Sequence, residues 1–188
     1  MARDTVLERL FQIAEGQDGY FTTRQAAELG VSRVAIKQAE QRGRLERATR
    51  GVYRLTRYPY TANVGQLWEA VLWPQSRKEI TAVLSHDTAL VLHNLSDINP
   101  PKTHITLPKR FRIQREKPEW LEVHRDHLLA DDTELVNGLP VTTITRTLID
   151  IGKTNRPAVL ADAIRDAKRL GVLVPEALEA GAGKSTRQ

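Results

Sequence analysis

Near the start of the chain the apolar residues Val6, Leu7, Leu10, Phe11 and Ile13 recur at helical spacing. Glu8, Arg9, Gln12 and Glu15 alternate with them, which predicts an amphipathic helix that Gly16 ends. After the short run GYFTT, Thr22 and Gln25 stand in the positions of a capping box for a second helix, RQAAEL, and Gly30 supplies a left-handed stop. Ser32 is placed to cap a third helix, RVAIKQAEQR, which Gly43 terminates. Polar and apolar residues then alternate through Arg44-Leu45-Glu46-Arg47 and Gly51-Val52-Tyr53-Arg54-Leu55, around Ala48-Thr49-Arg50, which predicts a β-hairpin. Helices followed by a hairpin in this order make a winged helix-turn-helix.

Periodicity fails at Tyr58-Pro59-Tyr60-Thr61, the expected linker. Beyond it, Leu67, Ala70, Val71 and Leu72 predict a helix ended by Pro74, and SHDTALVLHNL predicts another, capped by Ser85 or Asp87. THITLP, extended by Phe111-Arg112-Ile113, WLEVHR and GLPVTT predict strands. TRTLIDIG, capped by Thr143 or Thr145, PAVLADAIRDAKRLG and PEALEAG predict closing helices, the last two opened by proline. The expected fold class is α+β. It comprises an N-terminal winged helix-turn-helix over residues 1–57, a C-terminal α+β domain with a small mixed or antiparallel sheet over 62–180, and a flexible tail over 181–188.

Composition changes this picture little, with 40% hydrophobic and 27% charged residues in the ordinary globular range. The absence of cysteine excludes disulfides and thiolate zinc sites and fits a reducing compartment, so a cytoplasmic location is expected. MARDTVLERLFQIAEG intersperses charges among its apolar residues and predicts neither a signal peptide nor a membrane span.

Charge changes the picture more, through its distribution. Residues 33–57 carry Arg33, Lys37, Arg42, Arg44, Arg47, Arg50, Arg54 and Arg57 against Glu40 and Glu46, a net of +6, whereas the whole chain carries +5 and the remainder therefore about −1. On the third helix Ile36 and Ala39 share one side with Ala35, and Arg33, Lys37 and Gln41 share another with Gln38 and Val34. Arg and Lys suit phosphates and guanine edges, and Gln suits adenine. Thr23 and Ser32 stand at helix starts, where hydroxyls and free N–H groups suit phosphate oxygens. Arg47 and Arg50 near the hairpin tip, with Arg54 on its return, complete a candidate DNA-binding set. A run of charge is also an ordinary solvated face, and helix-turn-helix units also serve as protein-interaction modules.

Candidate catalytic chemistry is sparse. His86 and His93, seven apart, suit either a metal or simple packing. Ser85 and His86 are sequence neighbours and are expected to point apart on a helix. No acid–acid–lysine pattern of a metal-dependent nuclease is present, since His124 stands where WLEVHR would need the lysine. Asp131-Asp132 reads as a solvated loop, and Arg146 with Asp150 as a helical pair. AGAGKST lacks the first half of a phosphate-binding loop. No catalytic residue, metal or cofactor is expected, and the chain is not expected to be an enzyme. A second basic run, Lys102, Lys109, Arg110, Arg112, Arg115 and Lys117, suits the guarding of a sheet edge or a contact with nucleic acid or another protein.

Several of these residues carry a resemblance. Gly19-Tyr20, Leu29 to Ser32, Ile36, Gly43-Arg44-Leu45 and Arg50-Gly51-Val52-Tyr53 resemble the N-terminal domain of the AbiEi family, antitoxins of type IV abortive-infection toxin–antitoxin systems. Ser85 to Leu90, His93-Asn94-Leu95, Ile105 to Pro108, Val123-His124, Gly138 to Thr143 and Arg146 to Asp150 resemble the rest of that family's pattern. The resemblance implies a cytoplasmic repressor that binds repeats in double-stranded DNA upstream of its own operon. It also implies a C-terminal domain that counteracts a partner nucleotidyltransferase toxin, with or without a stable complex. The alternative is an antitoxin that binds its toxin directly, with DNA contact secondary. The family's groove-facing cations correspond to Arg33, Lys37, Arg47 and Arg50, while Gln38, Glu40 and Gln41 stand where further Arg or Lys is frequent.

Overall fold

A computed structural model describes residues 6–59, 62–74, 82–113 and 116–182. Tyr60 and Thr61 of the expected linker, Arg115, and residues 183–188 of the expected tail lie outside the described residues. The chain divides into two compact units, Met1–Thr81 and Ala82–Gln188, and its elements make it an α+β protein.

In the first unit, helix α1 (Val6–Ala14) leads through a short 3-10 turn to strand β1 (Tyr20–Thr22), then to α2 (Thr23–Glu28) and α3 (Arg33–Gln41). Strands β2 (Leu45–Thr49) and β3 (Val52–Leu55) form the hairpin, and α4 (Ala62–Leu72) follows. The capping box is present. Thr22 Oγ1 accepts from the Gln25 N–H (3.1 Å), and Gln25 Oε1 accepts from the Thr22 N–H (2.9 Å). The Val31 N–H reaches the Ala26 carbonyl and the Gly30 N–H the Ala27 carbonyl (2.9 Å each), which closes α2 and turns the chain at once into α3. Ser32 Oγ accepts from the Ala35 N–H at 3.1 Å and starts that helix.

β1 and β2 flank β3 in an antiparallel sheet with Phe21 opposite Tyr53 and Glu46 opposite Arg54. Leu10, Phe21, Val31, Ile36, Leu45 and Leu55 meet in the core beneath it. Burying each such side chain contributes on the order of 1.5–3 kcal/mol, which holds these short elements together where helical propensity alone would not. Gly19, at φ +85°, turns the chain into β1. A Cβ there would lie 2.6 Å from Tyr58 Cβ, so both conformation and space demand glycine. α4 packs against β1, so the compact unit extends past the stretch 58–61.

The second unit contains a five-stranded sheet in the order β6-β5-β4-β8-β7. Its strands are β4 (Val83–Leu84), β5 (Thr103–Pro108), β6 (Leu121–Asp126), β7 (Thr133–Val136) and β8 (Leu139–Thr142). β4–β8 and β5–β6 pair in parallel and the other pairs are antiparallel, so the sheet is mixed. Helix α5 (His86–Leu92) connects β4 towards β5, and α6 (Ile144–Gly152), α7 (Pro157–Arg169) and α8 (Glu176–Ala182) close the chain. Leu90, Leu95, Leu148, Ile151, Leu160 and Ile164 form the core among these helices. Thr143 is the residue that caps α6, its side chain accepting from the Arg146 N–H. Ser85 precedes α5 without capping it by its side chain.

Two strands escape the sequence pattern. β4 has two residues and shows no alternation, while β7 places Leu135 outward, 73% exposed, against the rule of apolar residues inside. Phe111-Arg112-Ile113 does not extend β5. No helix among the described residues is long and apolar enough to cross a membrane.

Candidate nucleic-acid interface

Inward-facing Ile36 and Ala39 fix the roll of α3, and this turns Arg33, Lys37, Gln38 and Gln41 to solvent. α3 packs on β2, whose Arg47 is exposed, and Arg50 is exposed at the hairpin tip. The Thr23 N–H donates to the Gly51 carbonyl at 3.0 Å, which ties the tip of the hairpin to the start of α2. Thr23 is half-buried there and Ser32 is exposed at the start of α3. Thus the hairpin and the two helix starts belong to one hydrogen-bonded frame.

Among the described residues Arg33, Lys37, Arg42, Arg44 and Arg47 are exposed and make no ion pair. Arg54 differs from the rest of the predicted set. Its guanidinium lies 3.1 Å from Glu46 Oε2 across the strands and donates to the Tyr58 carbonyl at 3.1 Å, with the side chain 12% exposed. The cross-strand position of Glu46 opposite Arg54 makes this pairing, so Arg54 braces the hairpin instead of joining the exposed cations. Burial raises the pKa of the nearby Asp18 carboxyl, and the charge of Arg54 opposes the shift.

The arginines of the second unit show the opposite condition. Arg146 reaches Asp126 at 2.6 Å, Asp132 at 3.1 Å and Asp150 at 3.1 Å, and also donates to the His127 carbonyl. Burial works against its charge, but the hydrogen bonds and field of the three aspartates outweigh it and hold its pKa above the ordinary value. The Asp126 carboxyl falls to about 2, because the His127 backbone N–H and the Lys153 ammonium donate to it. Asp132, expected in a solvated loop, is instead a partner of Arg146 and accepts from the Leu129 N–H. Arg146 and Asp150 are buried, not a marginal surface pair. Asp87 is held similarly by both terminal nitrogens of Arg156.

The histidines also group differently from their spacing. His86 and His93 do not converge: His93 Nε2 donates to the Thr142 carbonyl at 2.7 Å, whereas His86 stacks on His124 with ring centroids 3.5 Å apart. His104 Nδ1 lies 3.0 Å from His124 Nε2, a gap that holds one proton. Burial lowers all three pKa values in this cluster, and that of His86 falls to about 4 under burial and the charge of the neighbouring rings together. Ser85 and His86 do not point apart, because His86 has φ +51° and its Nδ1 lies 3.0 Å from Ser85 Oγ. Ser85 is fully buried and also accepts from Thr106, so this contact knits the core and presents no nucleophile at the surface. Among the described residues no group of three His, Cys, Asp or Glu is arranged to hold a metal ion.

Against this geometry, one comparison decides where the chain has a relative. Residues 8–56 match the AbiEi antitoxin family. The family is described as a transcriptional regulator, and the match runs from within α1 to just past β3, taking in every residue of the exposed basic frame. The AbiEi description is that of a regulator rather than an enzyme. No curated protein matches the chain.

Proposed function

We propose that the first unit is a winged helix-turn-helix and that the protein is a cytoplasmic DNA-binding autorepressor and antitoxin of a type IV toxin–antitoxin operon. α3 enters the major groove with Arg33, Lys37, Gln38 and Gln41, and the β2–β3 wing sets Arg47 and Arg50 against the backbone or minor groove. Thr23 and Ser32 meet phosphates at the helix starts. Arg54 acts through the hairpin, by holding Glu46 and the Tyr58 carbonyl. The second unit counteracts a nucleotidyltransferase toxin.

One observation carries this reading. Among the described residues the cations of α3 and β2 are exposed without acid partners, in the segment that matches a transcriptional-regulator family. A solvated surface gains nothing from leaving such a cluster unbalanced, since like charges at this density repel one another. Phosphates supply the missing counter-charge. The test is the binding of the purified full chain to the DNA upstream of its own gene against a scrambled duplex of equal length. A preference for the upstream fragment that Arg33→Ala, Lys37→Ala removes is expected. Equal, weak binding to both duplexes would sink the repressor and favour direct binding of the toxin.

A further inference from the structure

The second basic run is not one surface. Lys102 and Lys117 both reach Glu122 Oε2, at 3.3 and 3.0 Å, and are spent on the edge strand β6. Lys109, Arg110 and Arg112 follow β5, which lies between β6 and β4 and has no free edge for them to guard. They line an open concavity of about 700 Å³ with Phe111, Ile113 and Arg125. The four cations of this concavity are exposed and make no ion pair among the described residues.

Phe111 is what distinguishes the concavity from a plain basic patch. The Phe111 N–H is tied to the Pro108 carbonyl (2.8 Å), closing a turn, and Arg125 Nε donates to the Phe111 carbonyl at 3.4 Å. These bonds fix the backbone of Phe111, and the half-buried residue lines the concavity together with the guanidiniums of Arg110, Arg112 and Arg125. An aromatic face among flexible cations suits an unstacked base with a phosphate on either side. A duplex has its bases stacked inside and offers only its backbone, for which the ring has no use. RNA is the nucleic acid that ordinarily presents such open bases, in loops and single-stranded ends.

We propose that the concavity formed by Lys109, Arg110, Phe111, Arg112, Ile113 and Arg125 binds single-stranded RNA, one base stacking on Phe111 and flanking phosphates meeting the cations. This site is separate from α3 and its wing, so the two can fail independently.

The test is a titration of the full chain with a labelled, unstructured 12-nucleotide oligouridylate over a salt series, with a duplex DNA of equal length as competitor. Four phosphate contacts predict a log–log slope near −2.8, from about −0.7 per phosphate on a single strand, and Arg110→Ala, Arg112→Ala should lower its magnitude by about 1.4. Phe111→Leu, which keeps the apolar bulk, should weaken binding roughly ten-fold with the slope unchanged, while Phe111→Tyr should retain it. Arg33→Ala, Lys37→Ala should leave RNA binding intact. Absence of RNA binding by the native chain would overturn the proposal and leave the concavity to a protein partner. So would equal competition by the duplex, or loss in the arginine variant without loss in Phe111→Leu.

Discussion

Arg33 in the first unit and Arg146 in the second are the same residue type in opposite circumstances. Arg33 stands in solvent and makes no ion pair among the described residues, whereas Arg146 is buried among Asp126, Asp132 and Asp150. The difference teaches which arginines hold a fold and which are free to do something else. The guanidinium of Arg146 cannot be withdrawn without leaving the buried carboxylate of Asp150 short of its hydrogen-bonded partner. An exposed one costs the fold little to remove.

The sharpest way to break this contrast is to truncate both. Arg146→Ala leaves buried Asp150 with only the exposed Lys153 as an ion-pair partner and is expected to destabilise the second unit by about 3 kcal/mol, read by chemical denaturation. A loss under 1 kcal/mol would mean that Arg146 is not structural.

Acid sharpens the contrast next. His86, His104 and His124 have pKa values lowered by burial, so the unfolded chain takes up protons that the folded cluster refuses. Their neutral packing therefore contributes full stability above about pH 6.5. That contribution is lost progressively as pH falls towards the folded value, about 4 for His86. Asp150 and Asp87 moderate the loss by favouring the protonated His86. Hydrogen-exchange protection, taken relative to the intrinsic amide rate at each pH, should fall around β5 and β6 between pH 7 and pH 5, and His124→Phe, which cannot ionise, should flatten the response. Protection that is flat with pH in the native chain would refute it.

Smaller effects separate Arg54 from its neighbours. Arg54→Ala removes the tie to Glu46 and Tyr58 and should cost about 1 kcal/mol in thermal or chemical unfolding. Arg33→Ala and Lys37→Ala should each stay within about 0.5 kcal/mol of the native chain. If Arg33→Ala destabilised as much as Arg54→Ala, the division between bracing and exposed arginines would not stand.

The first unit was far more legible in the sequence than the second, and the reason lies in where its contacts are made. The Thr22–Gln25 box, the Ser32 cap and the turns at Gly30 and Gly43 are local, each joining residues a few positions apart, so spacing reveals them. The pairing of Glu46 with Arg54 was not read from the sequence, which set Arg54 among the DNA-binding cations, because it depends on the register of the hairpin. Asn137-Gly138, both at positive φ, marks the β7–β8 hairpin and was the signal for β7 that its outward Leu135 obscured. The histidine cluster had no such signal, since α5, β5 and β6 bring together residues from positions 86, 104 and 124 that share no spacing. The same holds for Arg146, where only Asp150 is a helical neighbour and Asp126 and Asp132 arrive by way of the sheet.

The salt dependence of binding to the upstream DNA tests the central claim most directly. If about six exposed cations of α3 and the hairpin neutralise phosphates, the log–log slope is near −5, from about −0.9 per phosphate, and Arg33→Ala, Lys37→Ala together bring it to roughly −3.5. A slope that the double variant leaves unchanged, or affinity indifferent to salt, would contradict the assignment of these arginines to DNA.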